Sequence, residues 1–127
     1  DDLANGRVVF LGSPLRGSRV ARKAQKVPGS AALLGKVETA LQEGYPGLAG
    51  DRETGMIAGS RSIGLGWLVG GTEGPGDGTV AIAETRSDGL SGHAILPVTH
   101  TGMLYSAEVA EKTAKFLESG RFESADA

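Results

Sequence analysis

Short apolar runs stopped by glycine or proline alternate along this chain with stretches whose apolar residues recur at helical spacing. Arg7-Val8-Val9-Phe10-Leu11 is continuously apolar after its first residue and ends at Gly12-Ser13-Pro14, the pattern of a strand buried on both faces. Ser18 is placed to cap a basic helix reaching about Gln25, which Pro28-Gly29 breaks. Ser30 opens a second helix, in which Leu33, Leu34, Val37 and Leu41 form one stripe before Gly44-Tyr45-Pro46-Gly47 closes it. Such a crossover is long enough to return the next strand, Thr54-Gly55-Met56-Ile57-Ala58, in parallel.

Further on, residues 63–71 are apolar but carry four glycines, which predicts a buried or pocket-lining loop around Trp67. Residues 80–83 fit either a short extended piece or one helical turn, and residues 93–98 form a third strand. Ser106 caps a last helix, with Glu108 near its positive end, Val109, Thr113, Phe116 and Leu117 facing the sheet, and Gly120 ending it. The order β-α-α-β-loop-β-α predicts a parallel α/β arrangement without internal repeat or domain linker.

Composition narrows this further. The chain has 127 residues, one domain or less, with 39% apolar and only 5% aromatic residues, so packing rests on Val, Leu, Ile and Ala. Its 21 glycines, about twice the usual share, imply many tight turns between residues 44 and 92. No window approaches the roughly 20 apolar residues a membrane span needs. The chain opens on Asp1 with no visible signal peptide and reads as a processed product or fragment. The absence of cysteine excludes disulfides and thiolate chemistry.

Net charge is −2, yet Arg7, Arg16, Arg19, Arg22, Lys23, Lys26 and Lys36 come before the first acid after Asp2. A nucleic-acid surface would interleave aromatics with those cations, and Phe10 is the only one there, so a solvated helix face is the favoured reading.

The chemistry concentrates in residues 74–103. Asp77 stands on a glycine-bracketed turn, Gly74-Pro75-Gly76-Asp77-Gly78-Thr79-Val80, and His100 follows the third strand in Leu96-Pro97-Val98-Thr99-His100-Thr101-Gly102-Met103. An acid on one strand-end loop and a histidine on the next, in that order, is the back half of a nucleophile–base–orienter triad. The carboxylate would accept the Nδ1–H of His100 and steady the imidazolium. Asp88, before Gly89, is the nearest rival acid, and His93, at the start of its strand, reads as structural.

The nucleophile is missing. No Gly-x-Ser-x-Gly occurs; Pro14 prevents Ser13 from forming a sharp elbow into a helix, Ser62 lacks the glycine two residues earlier, and Ser18 is better explained as a cap. Gly64-Leu65-Gly66-Trp67-Leu68-Val69-Gly70 resembles a dinucleotide fingerprint, but Gly70-Gly71 and Pro75 forbid the helix that must hold the pyrophosphate. No phosphate loop is present, and two lone histidines among scattered acids make no metal site, so neither cofactor nor metal is expected.

Several of these stretches resemble bacterial lipase/esterase-like α/β-hydrolases. Residues 7–18 resemble the strand and Gly-Ser-Pro turn that follow the nucleophile helix, and Gly55-Met56-Ile57-Ala58-Gly59 the next strand. Residues 74–80 resemble the acid loop, residues 96–103 the histidine loop, and Phe116-Leu117-Glu118-Ser119-Gly120-Arg121-Phe122 the family's ending. The resemblance spans nearly all 127 residues and departs at Gly76, where members often carry Asn.

It implies a partial α/β-hydrolase fold: a three-stranded parallel sheet with flanking helices, and a helical cap segment at residues 15–50. It gives Asp77 the role of orienting acid and His100 that of general base, with the nucleophilic serine and oxyanion-hole amides upstream of Asp1. An acyl ester is then the substrate once the upstream half is present, and the isolated chain is expected to be inactive. The first strand would present an unpaired edge, so self-association or pairing with the N-terminal portion is expected. A non-catalytic α/β ligand-binding or interaction module is the alternative. The compartment is left unknown, with a bacterial cytoplasm slightly favoured.

Overall fold

A computed structural model of the chain describes residues 6–19, 23, 52–62 and 74–123. They build an all-parallel three-stranded sheet, β1 (Val8–Leu11), β2 (Thr54–Gly59) and β3 (Gly92–Leu96), followed by a helix, α1 (Ala107–Ser119). Spatial order equals chain order, and because both pairs are parallel all three strands end at one rim.

The strand buried throughout is β2, not β1. Val8–Leu11 was expected to be covered on both faces, but each of its residues is half-buried, because among the described residues β1 pairs only with β2. In β2 the small residues Gly55, Ala58 and Gly59 let neighbours close over both faces. Strand β3 stops at Leu96 rather than Val98, since Pro97 has no N–H for a ladder and Val98 N–H turns back to the Leu96 carbonyl at 2.8 Å.

Gly55 and Gly92 are register partners and form a flat floor under the end of α1. A Cβ at Gly55 would sit 2.7 Å from Phe122 Cζ, and one at Gly92 would sit 3.1 Å from Phe116 Cε2. The Phe116 and Phe122 rings lie there with centroids 4.6 Å apart, anchoring a core that includes Ile57, Leu96, Met103 and Val109.

Helix α1 begins where Ser106 Oγ accepts the Val109 N–H at 3.3 Å, with Glu108 in the first turn. It ends at Gly120 (φ 77°), whose N–H reaches the Phe116 carbonyl at 2.7 Å. Arg7 crosses from the foot of β1, donating to the Leu117 and Glu118 carbonyls at 3.0 and 2.8 Å and pairing with Glu53. A cation thus meets the carbonyl-rich end of the helix.

Val109 and Phe116, seven residues apart, form the sheet-facing seam. Leu117, expected on that seam, is instead 46% exposed, because one helical residue turns the side chain about 100° away. It joins Leu104 beside Leu11 on the helix flank. Residues 82–85 form a 3-10 turn, resolving the open reading of residues 80–83, and a second 3-10 turn, Thr101–Tyr105, precedes α1.

The expected helix over residues 30–41, the Trp67 loop and most of the 15–50 cap segment lie outside the described residues. Of the helix expected over residues 18–25, Arg19 and Lys23 are described and helical.

Candidate active site

Residues 74–80 fold into a turn because Asp77 supplies the hydrogen bonds that its own backbone lacks. Its Oδ1 accepts the N–H groups of Thr79 (2.9 Å) and Val80 (2.7 Å), while its N–H donates to the Val80 carbonyl at 3.1 Å. Gly78, at φ 92°, takes the backbone conformation that a side chain would resist. Oδ1 is thereby committed, and Oδ2 is left to face away from the turn.

His100 meets that oxygen. Its Nδ1 lies 2.8 Å from Asp77 Oδ2, and its N–H donates to the Asp77 carbonyl at 3.0 Å. An ionised carboxylate only accepts, so Nδ1 carries the proton and Nε2 is the free lone pair in the neutral ring. The carboxylate is 1% exposed and the imidazole 39%. Among the described residues no hydroxyl or amide is bonded to Nε2, which keeps its lone pair as a proton acceptor.

The hydrogen bond to Asp77 raises the His100 pKa above its ordinary value; burial opposes this and the carboxylate's charge adds to it.

Two glycines make room for the pair. A Cβ at Gly12 (φ 56°) would lie 2.9 Å from Asp77 Oδ2 and 3.0 Å from His100 Nδ1. A Cβ at Gly59 would lie 2.6 Å from Asp77 Cβ and 2.5 Å from the Val98 carbonyl. Met103 packs its methyl against both positions. Thr99 Oγ1 accepts the Gly102 N–H at 3.0 Å and starts the 3-10 turn that carries Met103. The sequence carries a trace of these supporting residues: an apolar residue, glycine and serine recur at the ends of β1 and β2, as Leu11-Gly12-Ser13 and Ala58-Gly59-Ser60.

The other candidates lie elsewhere. Asp88 is exposed, with Arg16 at 4.0 Å. His93 Nε2 lies 2.8 Å from Thr85 Oγ1, whose hydroxyl already donates to the Ile82 carbonyl, so the ring donates there. Burial and then Arg86 lower its pKa. Ser62 donates to the Gly76 carbonyl at 3.1 Å, and Ser18 is buried in the segment after β1. Among the described residues no serine is bonded to His100, and no group of three or more His, Asp or Glu could hold a metal ion.

A cleft of about 780 Å³ runs beside β3 and α1, past His93, Ile95, Lys112 and Arg121, but neither Asp77 nor His100 lines it. Among the described residues no helix is long and apolar enough to cross a membrane.

With the site in view, comparison with solved structures places the architecture. The crystal structure of a lipase from Bacillus licheniformis, in its mature form, matches 91% of this chain with a TM-score of 0.62 at 19% identity. The chain has a partial α/β-hydrolase fold. It spans about half of that lipase, 55% of its length. No protein-family model matches the chain, and no curated protein matches it.

Proposed function

We propose that this chain is the C-terminal portion, residues 1–127, of a carboxylic-ester hydrolase of the lipase kind, with residues 15–50 as its cap. Asp77 is the orienting acid and His100 the general base; the nucleophilic serine and oxyanion hole belong to an upstream portion. The observation that carries this reading is the double attachment of His100 to Asp77, through Nδ1 at 2.8 Å and through the backbone at 3.0 Å. That attachment leaves Nε2 as the reactive nitrogen. In the reaction, Nε2 takes the serine hydroxyl proton as the oxygen attacks the ester carbonyl, then returns it to the departing alkoxide. Water repeats the sequence on the acyl-enzyme. The Nδ1 proton stays between the ring and Asp77 throughout.

An open strand edge and an apolar groove support the packing of an upstream portion here. Among the described residues β1 has one open edge, and beside it lies a groove of about 390 Å³ lined by Leu11, Leu104, Val109, Ala110 and Leu117.

A serine-directed fluorophosphonate probe tests the proposal. Labelling and ester turnover appear only when upstream sequence is restored, and Asp77→Asn then lowers turnover by up to about 10⁴-fold, as a wrongly oriented histidine does elsewhere. Turnover rises with pH through an inflection above 6.5, because the base must be neutral and its pKa is raised. The β3–α1 cleft favours a non-catalytic ligand-binding module as the second reading. Absence of labelling in the restored protein would decide for it.

A further inference from the structure

Glu84 is a buried acid, 8% exposed, that takes no part in the chemistry above. Its Oε2 accepts the Ala81 N–H at 3.0 Å and its Oε1 the Arg19 N–H at 2.7 Å, while its carbonyl accepts the Arg16 N–H at 3.0 Å. Both partners are informative. Ala81 bridges Gly76 and follows Val80, whose N–H is held by Asp77 Oδ1, so Glu84 grips the returning limb of the acid turn. Arg16 and Arg19 belong to the segment that leaves β1 through Gly12, the residue on which the Asp77–His100 contact rests.

One carboxylate therefore ties the loop after β1 to the loop that presents the acid. Two amide N–H groups converge on its two oxygens. A carboxamide would satisfy one and turn its own N–H₂ toward the other.

Resting on the reading of Asp77 and His100 as acid and base, we propose that Glu84 is a positioning residue: bonded to the Ala81 and Arg19 amides, it holds the acid turn where Asp77 Oδ2 reaches His100 Nδ1.

The test is an NMR titration of the His100 ring in the unmodified chain and in Asp77→Asn, Glu84→Gln and Arg19→Pro, with thermal unfolding followed in parallel. Arg19→Pro leaves Glu84 intact and removes the amide donor, together with the guanidinium, at a helix start where proline is tolerated; Arg19→Ala, which keeps the amide, is its control. Asp77→Asn is expected to reduce the proton affinity of His100 most. Glu84→Gln is expected to reduce it by about threefold, half a pKa unit, and Arg19→Pro in the same direction by less. A lowered unfolding temperature with an unmoved His100 titration in both Glu84→Gln and Arg19→Pro would make Glu84 a mere brace and overturn the proposal. An unmoved titration in Asp77→Asn would instead sink the acid–base reading.

Discussion

Asp77 and His100 are held by their own backbones before they hold each other. The Asp77 side chain closes its own turn, which spends one oxygen and aims the other, and the His100 amide docks on the same residue. The pH dependence follows. Because the folded-state pKa of His100 is raised, its contribution to stability is fully present below 6.5 and is lost as pH rises through the folded value. His93 behaves oppositely: its pKa is lowered, so its contribution is present above 6.5 and is lost as pH falls through the folded value. Urea midpoints are therefore expected to separate wild type from His100→Gln most at about pH 6, the gap narrowing as pH rises through the raised folded-state value. Gly12→Ala is a second test. Left-handed backbone costs a residue with a side chain about 1–2 kcal/mol, and the new methyl would press on Asp77 Oδ2. A urea midpoint unchanged by Gly12→Ala would contradict this crowding.

Among the elements, α1 was the most legible. Ser106, Glu108, Val109, Phe116 and Gly120 all take the places the pattern implies, because helix caps and a seven-residue seam are local properties. Ser106→Ala is expected to cost about 1 kcal/mol in urea denaturation, the usual worth of a cap hydrogen bond. Phe116→Ala is expected to cost about 3–5 kcal/mol, since its ring fills the space that Gly55 and Gly92 leave open. The strands were found, but the burial expected of the first belongs to the second. Among the described residues Val8–Leu11, the more hydrophobic strand, lies at an edge, and glycine-rich Thr54–Gly59 is central. Hydrophobicity along a strand does not report how many neighbours it has. Leu117 missed its face because it follows Phe116 by one residue, about 100° round the helix from the seam of Val109 and Phe116.

At the scale of the fold, the described residues leave β1 with one open edge and Leu11, Leu104 and Leu117 lining an apolar groove. Light scattering is expected to find the isolated chain self-associated, and mixing with the upstream portion to replace that association with a one-to-one complex; a clean monomer with a sharp thermal transition would count against both. What could be read from residues alone was whatever depends on near neighbours in the chain: helix caps, strand ends at glycine and proline, and an acid turn and a histidine loop in an order compatible with one rim. What required the folded chain was the set of long-range choices. These are which strand is central, that Gly12 and Gly59 clear space for the pair, and that Nδ1 of His100 comes to 2.8 Å from Asp77 and not to Asp88. The reason is physical: turn chemistry acts over three or four residues, whereas a contact across 23 positions is decided by the register and spacing of the sheet beneath it.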